Sequence, residues 1–139
     1  MNREAIYSAL FALVVSAPGL VTTSRKLLHW NDVSGSQRPA MFQAQKGEMA
    51  IQTTGIPTKW LLSVDLYLYV STSGAVSPGA VLNPIIDAIA AKLDYQVPGI
   101  PQTLGGLVQY ARIEGKIETS EGTLGDDEIC IIPVSILTA

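Results

Sequence analysis

The stretch Lys59–Ser71, KWLLSVDLYLYVS, constrains this chain more than any other. Its even positions, Trp60, Leu62, Val64, Leu66, Leu68 and Val70, are all apolar. Its odd positions, Lys59, Leu61, Ser63, Asp65, Tyr67, Tyr69 and Ser71, are mixed. Apolar residues at a period of two mark a β-strand with one fully buried face. At ~3.3 Å per residue the segment would span roughly 40 Å, about twice the usual strand. A strand of that length outruns the core of a small domain. Its excess needs a partner, either another part of this chain or another copy of it.

The other elements follow from the same kind of patterning. Ile6, Leu10, Leu13 and Val14 follow the spacing of an amphipathic helix, predicted from Asn2, its cap, to about Val15. Pro18-Gly19 ends it. The segment loosely resembles a secretory signal, but Glu4 spoils the positive flank, and a core-packing helix is expected instead. Val21–Trp30 is ambiguous, with Val21, Thr22 and Thr23 favouring an extra strand near Thr23. Asn31–Arg38 reads as loop. Ala40–Lys46 reads as extended, followed by a long polar connection, Gly47–Thr58, into the long strand. A second helix carries Val81, Leu82, Ile85, Ile86, Ile89, Ala90 and Leu93 in one broad stripe. It has two candidate starts, Ser77 capping with Pro78 first or Asn83 capping with Pro84 first, and the second is favoured for the regular part.

Asp94–Leu107 is a Pro/Gly-rich connector. Val108–Thr119 alternates, with Ala111, Ile113 and Ile117 on one side and Arg112, Glu114, Lys116 and Glu118 on the other. Glu128–Leu137 alternates too, with Cys130, Ile132, Val134 and Ile136 facing the core. Ser120–Asp127 is a turn between them, holding Gly122 and Gly125. Pro133 has no N–H to give a ladder, so its strand is expected at an edge or bulged there. The expected class is therefore α+β, mainly antiparallel, in the order α-β-β-α-β-β, with two helices packed on one face. The 139 residues fit one domain of ordinary size, and 47% hydrophobic against 15% charged content supplies a core.

Chemistry is thinly represented. A net charge of −3 is of the wrong sign for holding nucleic acid by phosphate neutralisation. The one cysteine, Cys130, cannot form an internal disulfide and lies in an apolar run, as a buried inert thiol would. The one histidine, His29, stands beside Trp30 with no GxSxG nucleophile motif in the chain, and reads as a packed or half-exposed side chain. One His and one Cys make no ordinary zinc site. Asp126, Asp127 and Glu128 read as a solvated hairpin turn, since further oxygen ligands for a hard cation are not identified. Gly105-Gly106 matches no phosphate loop and reads as a backbone turn. No catalytic, cofactor-binding or metal-binding residue is expected, and no apolar run approaches the ~20 residues of a membrane-spanning helix.

The interaction features are more informative. Alternating charges at Arg112, Glu114 and Lys116 suit a solvated sheet face, or a subunit interface whose charges set register and partner choice. Asp65, Tyr67 and Tyr69, on the mixed face of the long strand, suit an interface as well, tyrosine being enriched there. Packing under an adjacent loop is the alternative for the two tyrosines.

Taken together, the N-terminal helix, SRKLLHW, PAMFQAQKGE, KWLLSVDLYLYV, LNPIIDAI and QTLGGLVQYARIEGKIETSEGTLGDDEICIIPVSIL resemble the tail-completion proteins of long-tailed bacteriophages, in the class of the tail terminator. The resemblance spans most of the chain and implies a single tail-terminator-like domain over residues 1–139. It implies a non-catalytic virion protein at the head-proximal end of the tail, assembled in the host cytoplasm without a cofactor or a membrane. Such subunits form a hexameric ring that caps the tail tube, ends its polymerisation and offers a docking surface to the head connector. The implied partners are copies of itself, the tail tube protein and the head-tail connector proteins, with DNA passing through without specific binding. Glu121, Asp126 and Asp127 would then sit in a loop facing the channel or a partner. Alternatives are another neck component, a head-closure or adaptor protein, or a small α+β ligand-binding domain with a pocket between the second helix and the sheet.

Overall fold

The computed structural model describes residues 1–121 and 125–139. The elements are α1 (Arg3–Val14), β1 (Thr22–Ser24), β2 (Ala40–Ile51), β3 (Lys59–Ser71), α2 (Pro78–Lys92), β4 (Val108–Ile113), β5 (Glu118–Thr119) and β6 (Asp127–Thr138). Two single turns of 3₁₀ helix, Trp30–Asp32 and Gly35–Gln37, lie between β1 and β2. The strands form one sheet in the order β1-β2-β3-β6-β4, with β5 also on β6. Every pairing is antiparallel except β1 with β2. The α+β class with two helices on one face is thus as expected, and the extra strand falls at Thr22–Ser24.

β3 occupies the middle of this sheet and pairs along its length with β2 on one side and β6 on the other. Alternation then sorts its side chains. Leu62, Val64, Leu66, Leu68 and Val70 are all buried, meeting Ile136, Val134, Ile132 and Cys130 from β6. Ile6, Leu10 and Val14 of α1 and Leu82, Ile85 and Ile89 of α2 close over them. Asn2 caps α1, its side chain accepting from the Ala5 amide at 3.0 Å. The sixth even position, Trp60, is half-buried, with the Arg3 guanidinium 4.7 Å from its ring centroid.

Three expectations need correction. β2 does not stop at Lys46 but continues to Ile51, leaving a loop of only 52–58. Lys46 forms a bulge, since Gln45 pairs with Val64 and Gly47 already with Ser63. Gly47, at φ +144°, adopts a backbone conformation that L side chains rarely take. Helix α2 starts after Ser77 with Pro78 first, not after Asn83. Pro84 inside it forfeits the bond to the Ala80 carbonyl, and both residues are exposed, a position where a helix tolerates the loss better than in a core. The expected strand Val108–Thr119 is broken into β4 and β5.

The break lies opposite Pro133. Pro133 sits within β6, between β3 and the β4–β5 edge, so β6 is not itself an edge strand. Its carbonyl accepts from the Glu114 amide at 3.2 Å on the β4 side. Its missing N–H therefore faces the same side, where a regular ladder would lack a donor. The chain bulges away over 114–117 and resumes pairing at Glu118 with Ile131. The expected turn Ser120–Asp127 lies partly outside the described residues, at 122–124.

Leu66 is fully buried at the centre of the sheet. Leu66→Ala is expected to lower unfolding stability by about 3 kcal/mol, read from the midpoint of a urea titration. A shift below about 1 kcal/mol would contradict a close-packed core there.

Candidate functional site

The register places the odd residues of β3 on a second, outer face, away from the helices. Rows of side chains cross it. One row is Phe42, Tyr67, Ile131, and the next is Ala40, Tyr69, Ile129. A polar row holds Ser63, Ser135 and Arg112, and beside it lie Ala44, Asp65 and Pro133. At the hairpin end the row is Met49, Leu61, Leu137, Tyr110.

The loop from Leu28 to Arg38 covers the Tyr69 end. Val33, Ala40, Phe42 and Tyr69 form a small second core there, with Trp30, Tyr67 and Ile129 at its margin. Arg38, missed in the sequence, is what holds this cover down. Its side chain is 5% exposed. It donates to the Val33 carbonyl at 3.1 Å, to Ser71 Oγ at 3.0 Å and to the Trp30 carbonyl, and pairs with Asp127 at 3.2 Å. Its guanidinium also lies 5.9 Å from the ring centroids of both Trp30 and Tyr69. The only sequence signal was an arginine beside a proline in a polar loop, which does not announce burial.

The candidate residues therefore separate. Tyr69 is buried, its hydroxyl donating to the Leu28 carbonyl at 2.7 Å, so the loop-packing alternative describes it. Burial raises its phenol above the ordinary value. Tyr67 is half-buried at the edge of the same cluster. Asp65 is ion-paired with Lys46 at 3.5 Å across β2. Arg112 and Glu114 pair at 3.2 Å, with the guanidinium 3.9 Å from the Tyr110 ring centroid, and Lys116 is exposed. That hydrogen bond raises the Arg112 pKa further.

The three acidic loop residues do not form one patch with one role. Asp127 accepts from Ser71 Oγ at 2.6 Å and belongs to the Arg38 network. Asp126 is exposed, and its backbone carbonyl accepts from the Thr72 amide at 2.9 Å. Glu121 caps α2, bonding Ser77 Oγ and the Gly79 amide. A Cβ at Gly79 would lie 2.7 Å from its carboxylate, so only glycine admits this approach without a shift.

Glu128, next in sequence, is 1% exposed on the helix face, and its Oε1 has no hydrogen-bond partner among the described residues. Burial first, then the nearby Glu121 charge, raises its carboxyl above the ordinary value. Burial also pushes the Cys130 thiol up to about 12. His29 opens the first 3₁₀ turn, its Nδ1 accepting from the Asn31 amide at 3.2 Å. Among the described residues no group of three or more His, Cys, Asp or Glu is placed to hold a metal, and no helix is long and apolar enough to cross a membrane.

Two sheet edges remain open. β1 covers β2 only at Ala40–Phe42, leaving 43–51 of β2 without a strand neighbour on that side among the described residues. At the far end, β4 has β6 on one side and no strand on the other among the described residues. Beside β4 the C-terminal end of α2 leaves a groove of about 420 Å³, bordered by Leu93, Asp94, Tyr95, Tyr110, Arg112 and Ile117.

This arrangement defines an α+β fold whose helices close one sheet face while a loop closes only part of the other. No family model and no curated protein matches the sequence. Among solved structures, the fold is similar to that of a chain in "Virion of native gene transfer agent (GTA) particle". The two share 9% identity at a TM-score of 0.56, over 96% of this chain and 94% of that one.

Arg38→Ala would take the donor from the Val33 carbonyl and the cation from beside Asp127, and is expected to cost about 2 kcal/mol and to expose the 28–38 loop to proteolysis. An unchanged unfolding midpoint with a protected loop would contradict its role. Glu128→Gln is expected to stabilise the protein by roughly 1 kcal/mol at neutral pH. Because the folded-state pKa is raised, the native state holds its proton to higher pH than the unfolded state does. The penalty is therefore absent below the ordinary carboxylate range and grows as pH rises through the raised value. The gain from Glu128→Gln should fade accordingly on acidification, as thermal unfolding across pH would show.

Proposed function

We propose that this chain is a structural virion protein that associates head to tail into a ring closing the end of a tail tube. The observation that carries this reading is the pair of unlike open edges on one sheet. β2, β3, β6 and β4 alternate in direction, so the edge strands β2 and β4 run antiparallel to each other. Two different surfaces at opposite ends of one sheet suit heterologous contacts, which close into a ring when the rotation allows. The setting is supported by a fold likeness covering nearly the whole of both chains, the neighbour being described as part of a virion particle.

In this reading the ring ends tube polymerisation by occupying the last ring of the tail tube protein, and gives the head connector a surface to dock on. A net charge of −3 suits a conduit that DNA crosses without being held. No reaction is assigned to the chain, and its work is shape and charge complementarity. The groove beside β4 favours a second reading, a small-ligand-binding domain. It ranks lower because the groove's one guanidinium, Arg112, is already paired with Glu114.

Negative-stain imaging of the purified protein, alone and with tail tubes, tests the proposal. Rings with a central hole, or caps on tube ends, are expected. A protein that stays monomeric at high concentration and leaves tubes uncapped overturns it.

A further inference from the structure

The β2–β3 hairpin carries an apolar knob that its own chain does not use. Met49 is 62% exposed, Ile51 40% and Ile56 54%. After the Lys46 bulge, Met49 pairs with Leu61 and Ile51 with Lys59, so both side chains stand on the outer face. The hairpin is not a loose arm. Glu48, on the other face, accepts from Arg3 Nε at 2.7 Å and from the Tyr7 hydroxyl at 2.9 Å, which ties β2 to α1. The Arg3 bond, with a smaller contribution from Tyr7, holds the Glu48 carboxyl below its ordinary value despite some burial.

At the opposite edge lies the groove, and its lining is largely apolar: Ala90, Leu93, Tyr95, Pro101, Tyr110, Ile113 and Ile117. Tyr95 is 58% exposed. The two features lie at one height on the sheet. Met49, Leu61, Leu137 and Tyr110 are successive register partners, so they form one line across β2, β3, β6 and β4. A rotation about an axis along the strands, with no rise, would bring the knob of one copy to the groove of the next. Charge agrees: Lys59 lies beside the knob and Asp94 beside the groove, and neither has an ion-pair partner among the described residues.

We infer that the occupant of the groove is a second copy of this chain, which seats Met49 and Ile51 against Tyr95, Pro101 and Tyr110, with Lys59 meeting Asp94. This rests on the ring reading and names its contact. Burying large apolar side chains that are left in water in the monomer supplies the drive. The contact joins unlike surfaces, so it propagates around a ring instead of ending at a dimer.

Mixing distinguishes it. Chains carrying Met49→Cys and chains carrying Tyr95→Cys are purified separately, combined and oxidised, and non-reducing gels read the products. Cys130 is buried and does not compete. A crosslinked pair is expected from the mixture and not from either variant alone. In parallel, Met49→Asp is expected to abolish the rings that the wild-type protein forms while leaving the far-ultraviolet circular dichroism of the folded chain unchanged, since the side chain is exposed. Self-crosslinking of Met49→Cys alone overturns the heterologous seating. Wild-type rings that survive Met49→Asp, with no mixed crosslink, overturn the seating and leave the ring reading standing. A wild-type protein that shows no ring, alone or on tail tubes, and no mixed crosslink overturns both.

Discussion

Everything in this fold depends on β3 being paired with two strands at once over most of its length, from Leu61 to Tyr69. Its side-chain period is two, so a slip of one residue would turn five buried apolar side chains to the outer face and bring Asp65 and Ser63 into the core. The register is therefore fixed by the apolar sequence of β3 itself. Once fixed, it dictates which residues of β2 and β6 face the helices, and it draws the rows that cross the outer face. The helices are secondary to this: they cover a surface whose composition β3 has already determined.

The two faces are closed by different physics. On the helix side, apolar side chains from α1 and α2 meet the sheet with little polar intrusion, the buried exceptions being Gln43, Glu128 and Thr138. On the outer side, a loop without long secondary structure is held by one guanidinium. Arg38 satisfies loop carbonyls, reaches Ser71 and Asp127 at the end of the sheet, and sits between the rings of Trp30 and Tyr69, 5.9 Å from each centroid. A planar group with several fixed donors serves here where a lysine would supply a point charge. The cover stops at Tyr67, which leaves the hairpin half of the outer face to solvent.

How much of this was legible follows from how each element is held. β3, α1 and β6 announce themselves because burial on one face writes a period into the sequence. The second half of β2 does not, because residues 45–51 are exposed and are held by backbone pairing to β3, which leaves no apolar period. The bulge at Lys46 compounds this by shifting side chains between faces midway. The start of α2 was obscured by two prolines that each suit a first turn, and exposure at Ala80 and Pro84 makes the interior one tolerable. Pro133 was expected to put its strand at an edge or to bulge it, but β6 is an inner strand that stays in register with β3, and the interruption fell in its neighbour, where 114–117 leave the ladder. The candidate interface residues were chosen by type. Tyr69, chosen as an interface residue, and Asp127, chosen for a channel or partner-facing loop, are of the right types, yet both lie against Arg38, whose side chain joins the nearby Trp30 and Val33 to residues far along the chain and so leaves no local pattern.

The open edge of β2 bears on assembly for a related reason. An exposed edge strand is a hazard because any extended chain can pair with it. This one is not a uniform template. The Lys46 bulge breaks the ladder repeat, and bulges bend and twist a strand locally. Glu48 is committed to Arg3 and Tyr7, and Lys46 to Asp65, so charged side chains stand at fixed places along the edge. A flat, unrelated strand would meet a bend and two charges. A partner that accommodates both must present its own shape and its own fixed charges, which a defined surface of a folded protein does and an unfolded segment does not. The same features that keep the edge from indiscriminate pairing thus make it selective, and they leave Met49 and Ile51, just beyond the bulge, as the apolar surface on which a matching partner would gain most.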